Sequence, residues 1–121
     1  MGESGSGGRY DLEDRTFEFA RRCRALVKRL PQSVANEEDG RQLIKASGSV
    51  GANYIEANES LGKKDFQMRI RISRKESKES RYWLRLVDVG EDASVEHERA
   101  ALVQEATERM NIFGAILRNS T

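Results

Sequence analysis

The sequence predicts an all-α protein, an up-down antiparallel four-helix bundle. Apolar residues recur at helical spacing in four separate segments, which cover roughly residues 11–30, 39–59, 63–89 and 94–118. None of these segments has the alternation that is typical of a strand, and several glycines and the only proline fall between them. Four helices of this length, joined by short connections, are typical of a bundle.

The chain has 121 residues, which fits one domain. Residues 1–8 read MGESGSGG and contain no apolar residue after Met1. We interpret them as a flexible leader or an expression scar, and we expect the single four-helix domain to span residues 9–121.

The first two segments each carry a core-facing stripe. In the first, the stripe is Leu12, Thr16, Phe19, Cys23, Leu26 and Leu30, and Pro31 then ends the helix because proline disfavours helical backbone at the residue before it. In the second, the stripe is Leu43, Ser47, Val50, Tyr54 and Ala57. The neighbouring stripe of the second segment contains Gly48 and Gly51, which predict close packing of another helix.

The third segment has more apolar surface than a monomeric bundle buries. One seam consists of Phe66, Ile70, Ser73, Ser77, Ser80, Leu84 and Val87. A second set beside it consists of Met68, Ile72, Glu76, Glu79, Trp83 and Leu86. Together the two sets span more than half of the helix circumference, so we expect a second burial partner, most simply another copy of the chain. In the alternative, Trp83 and Met68 pack under a neighbouring loop.

The fourth segment repeats by three and four through Val103, Ala106, Met110, Phe113 and Leu117. Its spacing predicts the last helix of the bundle.

Charge is separated along the chain although the total is only +1. Residues 63–85 carry a net +6 and residues 86–121 a net −4. The remaining arc of the third helix forms a basic ridge of Lys64, Arg71, Arg74, Lys75, Lys78, Arg81 and Arg85. Such a ridge favours contact with the phosphate backbone of RNA or DNA. The alternative is charge complementarity between helices or between subunits, together with ordinary solvated surface. Tyr82 is the only aromatic residue among these cations, so no base-stacking platform is predicted.

The composition excludes several kinds of chemistry. A single cysteine excludes an internal disulfide framework and a cysteine-cluster zinc site, and a single histidine leaves no multi-histidine metal site. Glu56, Glu76 and Glu79 lie on or beside apolar faces, but a di-iron site would need two Glu-x-x-His pairs, and His97 has no glutamate three residues before it. We therefore expect no enzyme activity, metal or cofactor, and we expect these carboxylates to accept hydrogen bonds at a helix interface.

No segment approaches 18 consecutive apolar residues, and no signal-peptide core follows Met1. We therefore expect a soluble cytoplasmic protein without a membrane partner.

Two blocks of the sequence resemble a known bacterial family. Residues 42–66, QLIKASGSVGANYIEANESLGKKDF, match its second-helix signature at Gln42, Leu43, Ser49, Gly51, Ala52, Asn53, Glu56, Ala57, Lys64, Asp65 and Phe66. Residues 74–87 match its Tyr-Trp-Leu block at Lys75, Glu76, Ser77, Glu79, Ser80, Tyr82, Trp83 and Leu84. The chain is thus similar to the four-helix proteins encoded in intervening sequences of 23S ribosomal RNA genes.

The resemblance implies an up-down bundle that assembles as a homopentameric barrel. It extends more distantly to the accessory variability determinants of diversity-generating retroelements, which are basic pentamers that bind nucleic acid and the reverse transcriptase. The family has no established enzymatic function. We take Asn53 and Glu56, together with the second set of the third helix, as candidate oligomer contacts. The expected function is a nucleic-acid-binding or scaffolding module, and the alternative is an adaptor for a protein partner.

Overall fold

Four α-helices follow one another in the computed structural model, which describes residues 9–121, with side chains from residue 11 onward. They are α1 (Arg9–Arg29), α2 (Val34–Asn58), α3 (Lys63–Leu86) and α4 (Ala93–Asn119). No strand occurs in this range. Helix α2 packs against α1 and α3, and α4 packs against α3 and α1, so the predicted four-helix bundle is confirmed. The predicted leader, residues 1–8, lies outside the described residues.

The stripes read from the sequence form the core. The α1 stripe is buried from Leu12 to Leu26, and all five members of the α2 stripe are buried. On α4, Ala106 and Phe113 of the predicted stripe are buried, whereas Val103, Met110 and Leu117 are only half-buried. Leu102 and Arg109, which the predicted stripe did not contain, are buried as well. The ring of Phe113 lies 5.8 Å from that of Tyr54, which joins α4 to α2 across the core. The helical period therefore predicted the inward side of α1 and α2, and that of α4 only in part.

A seam of small residues on α3 lets it approach α2 closely. Ser73, Ser77 and Ser80 have no exposed surface. The hydroxyls of Ser77 and Ser80 donate to the backbone carbonyls of Ser73 and Glu76, four residues earlier. These bonds satisfy the buried hydroxyls without a partner on another helix.

Two predicted helix boundaries were wrong. Helix α2 begins at Val34, five residues before the predicted start, because the side chain of Ser33 caps it by accepting a hydrogen bond from the backbone N–H of Asn36. Helix α3 ends at Leu86 rather than at residue 89, because Val87 turns into extended backbone. The guanidinium of Arg99 donates hydrogen bonds to the carbonyls of Leu84, Arg85 and Val87. These bonds supply donors for backbone carbonyls at the end of α3 that have no partner within the helix.

The α1–α2 and α3–α4 loops are joined at one end of the bundle. The amide of the buried Asn36 donates to the carbonyls of Pro31 and Asp88 at 2.9 and 2.8 Å, and its oxygen accepts from the N–H of Asp88 at 3.0 Å. Gly90 has a φ of +70°, and a Cβ there would stand 2.9 Å from the Cγ of Pro31. Only glycine satisfies both the backbone conformation and this contact.

Among the described helices, none combines the length and the apolar content that a bilayer crossing requires.

Candidate nucleic-acid and assembly surfaces

The basic ridge on α3 lies on the side of the helix that faces α4. The Nη1 of Arg81 donates to the hydroxyl of Thr107 at 3.3 Å. The Nε of Arg74 lies 3.6 Å from the position that a Cβ on Gly114 would take. Six of the seven ridge side chains are exposed, and Arg81 is half-buried. The structure therefore brings the predicted ridge residues together along one edge of the bundle.

The ridge cations have no carboxylate partners among the described side chains. Between residues 11 and 121, none of the seven lies within 4.0 Å of an Asp or Glu oxygen. Several arginines elsewhere are paired, among them Arg22 with Glu98 at 2.9 Å and Arg21 with Glu18 at 3.1 Å. Charge complementarity between the described helices of one protomer, which is one part of the alternative explanation, therefore does not account for these cations.

The second set of α3 residues forms a partly exposed surface toward α2, which we call the α3 patch: Met68, Ile72, Glu76, Glu79, Trp83 and Leu86. Met68 is 47% and Leu86 50% exposed, so no loop covers them. Trp83 is half-buried against the core. Its ring makes an edge-to-face contact with Tyr82 at 5.0 Å between centroids. The patch thus consists of one anchored aromatic ring flanked by exposed apolar side chains.

The carboxylates of the patch have no hydrogen-bond or ion-pair partner among the described side chains. Glu76 and Glu79 line a depression between α2 and α3 with Gln42, Lys45, Ala46 and Ser49. Burial, together with the neighbouring charge of Glu79, raises the pKa of Glu76 above its ordinary value. No hydrogen-bond donor in the described range reaches the side chain of Glu56, Glu76 or Glu79. The described residues therefore do not supply the hydrogen bonds that these carboxylates were expected to accept at a helix interface.

Asn53 is engaged inside the protomer. Its amide nitrogen donates to the carbonyl and the hydroxyl of Ser49, and its oxygen accepts from the Nη1 of Arg69 at 3.0 Å. This arrangement ties α2 to α3 beside the patch. Glu56, one turn later, is exposed.

A groove between α1 and α2 was not predicted from the sequence. Gly48 and Gly51 form its floor. Phe17, Ala20, Ala52 and Ile55 form its walls, and its volume is about 390 Å³. A Cβ on Gly51 would stand 2.8 Å from the Oγ1 of Thr16, so this glycine sets the closeness of α1 and α2. The sequence signal for this groove was the stripe of α2 that contains Gly48 and Gly51. The sequence did not predict that Phe17, on the α1 side of the groove, would be 68% exposed.

Sequence reasoning also missed Arg109, whose side chain is fully buried on α4. Its Nη1 donates to Glu105 at 2.8 Å, and its Nη2 lies 3.5 Å from Glu108, which also contacts Arg15 at 3.4 Å. Burial, and next the charge of Arg15, lower the pKa of Arg109 below its ordinary value. The cluster links α4 to α1 and faces neither the ridge nor the patch.

Over residues 11–121, no group of three or more His, Cys, Asp or Glu side chains is placed to hold a metal ion.

Comparison with known proteins identifies the family. The sequence matches the family model of the 23S rRNA-intervening sequence proteins over residues 10–113. The chain belongs to this family. Among solved structures, this intervening-sequence protein is similar to a protein of unknown function from the S23 ribosomal protein family of Bacteroides thetaiotaomicron. The two share 26% identity with a TM-score of 0.73, and the match covers 88% of this chain and 97% of the other. None of the curated proteins matches the sequence.

Proposed function

We propose that this intervening-sequence protein is a cytoplasmic, non-enzymatic homo-oligomer that binds the phosphate backbone of RNA or DNA through the basic ridge on α3. The observation that carries the proposal is the contrast between paired and unpaired cations. Arg15, Arg22 and Arg29 on α1 have carboxylates of α4 or its N-cap across the bundle. On α4, Arg99 and Arg109 have glutamates of their own helix. The seven ridge cations have neither within the described part of the protomer. Unpaired exposed cations in a row are the charge pattern that phosphates neutralise.

Self-association would strengthen the binding of nucleic acid through this ridge. One chain carries a net charge of only +1, and a single ridge offers few phosphate contacts. A ring of copies, five in our proposal as the resemblance implies, would present the same ridge repeatedly. Several weak contacts to one strand then add up to a much higher avidity. The exposed apolar surface of the α3 patch supports such an assembly.

Titration of labelled RNA and DNA, duplex and single-stranded, at two salt concentrations tests the proposal. Backbone binding predicts an affinity that falls steeply as salt rises. Lys78→Glu, in the ridge, should weaken binding to all sequences and reduce the salt slope by about one for each phosphate that is no longer neutralised. Arg41→Glu, which changes the charge equally at an exposed site on α2, is the matched control and should bind as wild type does. Absent or salt-independent binding, or equal weakening in both variants, would contradict the proposal.

An adaptor for a protein partner is the second candidate. The exposed side chains of Phe17, Val34 and Ile55 favour it, because apolar groups clustered on a surface are typical of protein interfaces. This candidate predicts no nucleic-acid binding at low salt, so the same titration separates the two.

A further inference from the structure

Tyr82 is an exposed aromatic side chain within the basic ridge. It is 58% exposed, and the exposed ridge cations Lys78 and Arg85 lie one turn before and one turn after it. At about 100° per residue, Tyr82 lies about 40° from Lys78 and about 60° from Arg85 around the helix axis. Leu84, on the opposite side of the helix, is fully buried. The tyrosine ring therefore shares the outward arc of α3 with the cations.

Of the aromatic side chains in residues 11–121, only Tyr82 lies on the ridge. Phe17 is also exposed, but it lines the groove between α1 and α2. The other five are buried in the core or packed against it: Phe19, Tyr54, Phe66, Trp83 and Phe113. Within the described part of the chain, a ligand held by the ridge cations can therefore meet one aromatic ring.

The ring of Tyr82 is held in place by its neighbour Trp83. The two rings meet edge to face, with 5.0 Å between centroids and 82° between planes. Trp83 is itself packed against the core. An edge-to-face contact covers at most one face of the tyrosine ring, so the other face can receive an aromatic partner. Because the ring is positioned before a ligand arrives, binding costs less side-chain entropy than it would for a freely rotating ring.

A nucleotide offers both groups that this arrangement can bind. The cations beside Tyr82 suit its phosphates, and the face of the ring suits a base. Cations alone read only the phosphate backbone, which duplexes and single strands share. A base that stacks on Tyr82 adds a contact that depends on whether the base is accessible. One ring gives one stacking position in each copy, and does not make a platform for successive bases.

The accessibility of bases differs between single strands and duplexes. In a duplex, each base is paired and stacked between its neighbours, so it reaches a protein ring only after it has left the stack. That step costs free energy, and an unpaired base avoids most of this cost because it can turn outward. A stacking contact at Tyr82 therefore favours unpaired nucleotides.

We propose that Tyr82 stacks on an unpaired base while the neighbouring ridge cations hold the adjoining phosphates, so that the ridge prefers single-stranded segments to duplex. The inference rests on the nucleic-acid binding in the proposed function and specifies which part of the nucleic acid is bound. Lys78 and Arg85, on either side of the ring along α3, are placed to hold the phosphates that flank the stacked base.

Two substitutions at this position separate stacking from packing. Tyr82→Phe keeps the ring, and the hydroxyl that it removes makes no hydrogen bond with the described residues. Tyr82→Leu removes the flat ring but keeps an apolar side chain of good helix propensity, so it can still cover Trp83. Both variants and wild type are titrated at one salt concentration with three ligands: a single-stranded oligonucleotide, an abasic strand with the same number of phosphates, and a duplex.

The quantity compared is the ratio of the affinities for the base-bearing and abasic strands within one protein. Changes in the mass of an assembly affect both strands and so largely cancel in this ratio. We expect wild type and Tyr82→Phe to bind the base-bearing strand at least about fivefold more tightly than the abasic strand. Tyr82→Leu should bind the two nearly equally. All three proteins should bind the duplex with the same affinity, because only its phosphates are contacted.

Other outcomes separate this inference from the proposed function. A wild type that binds neither strand nor duplex at low salt would overturn both. Salt-dependent binding that Lys78→Glu weakens, without a preference of wild type for the base-bearing strand, would overturn the stacking and leave ridge binding standing. A preference that Tyr82→Leu retains or Tyr82→Phe loses would overturn the stacking too, since it would depend on apolar bulk or on the hydroxyl. Equal weakening of single strand and duplex in Tyr82→Leu would assign the ring a structural role instead.

Discussion

The hydroxyl of Ser73 on α3 donates a 2.9 Å hydrogen bond to the backbone carbonyl of Val50 on α2. Both residues are fully buried, so this bond ties the two helices together in the core. It also fixes the face of α3 that turns inward, and thus the direction in which the ridge and the patch point.

Changing Ser73 tests this hydrogen bond. Ser73→Ala should lower the free energy of unfolding by about 1 kcal/mol, because one buried hydrogen bond is removed with little change in volume. Ser73→Leu should lower the free energy of unfolding by roughly 1–3 kcal/mol or more, because a larger side chain cannot fit between α2 and α3. Urea unfolding at fixed protein concentration measures both. Equal stability of Ser73→Leu and wild type would show that the helices are not closely packed there.

Two glycines three residues apart on α2 should respond to alanine in opposite ways. A Cβ at Gly51 would stand 2.8 Å from Thr16 Oγ1, whereas a Cβ at Gly48 would meet only the movable guanidinium of Arg24 at 3.4 Å. Gly51→Ala should therefore destabilise the protein by about 1–3 kcal/mol through overpacking. Gly48→Ala should stabilise it by about 0.5–1 kcal/mol through helix propensity. Thermal unfolding compares them, and the same sign for both would contradict the close contact of α1 with Gly51.

The Arg22–Glu98 ion pair predicts part of the response to acid. Arg22 donates to both carboxylate oxygens, at 2.9 and 3.1 Å, and these hydrogen bonds hold the pKa of Glu98 below its ordinary value of 4.5. The stabilisation is therefore present above about pH 4.5 and is lost as the pH falls through the lower folded-state pKa. Because both side chains are about a third exposed, we expect no more than about 1 kcal/mol from the pair.

Glu98→Gln should therefore be less stable than wild type at pH 7 and should lose less stability on acidification. Glu91→Gln, an exposed loop carboxylate, is the control and should follow the wild-type profile. Unfolding by urea at several pH values between 2 and 7 gives the free energy of unfolding of each protein as a function of pH. Parallel curves for Glu98→Gln and wild type would contradict the role assigned to the pair.

Cys23 should report on unfolding of the core. The thiol is fully buried, and burial raises its pKa to about 12. At pH 8 it is protonated and inaccessible, so an alkylating reagent should modify it only when the bundle opens. A cysteine placed at the exposed Ala100 in a Cys23→Ala background should react within minutes. Comparable labelling rates for Cys23 in folded wild type and for the cysteine at position 100 in the folded variant would show that α1 detaches readily.

The core of the fold was predictable because burial follows the helical period. Every residue of the α2 stripe, from Leu43 to Ala57, is buried as predicted. The start of α2 was not predictable in the same way. Its first turn is mostly exposed, and it depends on a cap at Ser33, which hydrophobic periodicity does not detect. Helix ends are set by such side-chain bonds to the backbone.

The candidate surfaces were predictable only in part. The angular position of each residue around the helix was enough to place the ridge cations on one arc of α3. It could not reveal which cations find carboxylates on other helices, because partners such as Arg22 and Glu98 are 76 positions apart. The same limit hid the buried Arg109, which lies on the inner face of α4 among apolar residues. The groove was missed because its walls come from two helices whose relative rotation depends on the contact of Gly51 with Thr16.

The Asn36 hydrogen bonds hold the two loops together at one end of the bundle. There Pro31, Gly90 and the backbone of Asp88 are all held. At the other end, Asn58 donates to Glu13 at 2.9 Å and Gln67 donates to the carbonyl of Ser120 at 3.0 Å, which tie the helices themselves. The α2–α3 turn between them is not covered: Leu61 is fully exposed, and a Cβ on Gly62 would meet no described atom within 4 Å beyond its chain neighbours. Backbone amides beside Asn36 should thus exchange with deuterium only through global opening, while those around the α2–α3 turn exchange through local fraying. The amino-terminal turn of α3, which carries Lys64, can then adjust its position while the rest of the ridge stays rigid.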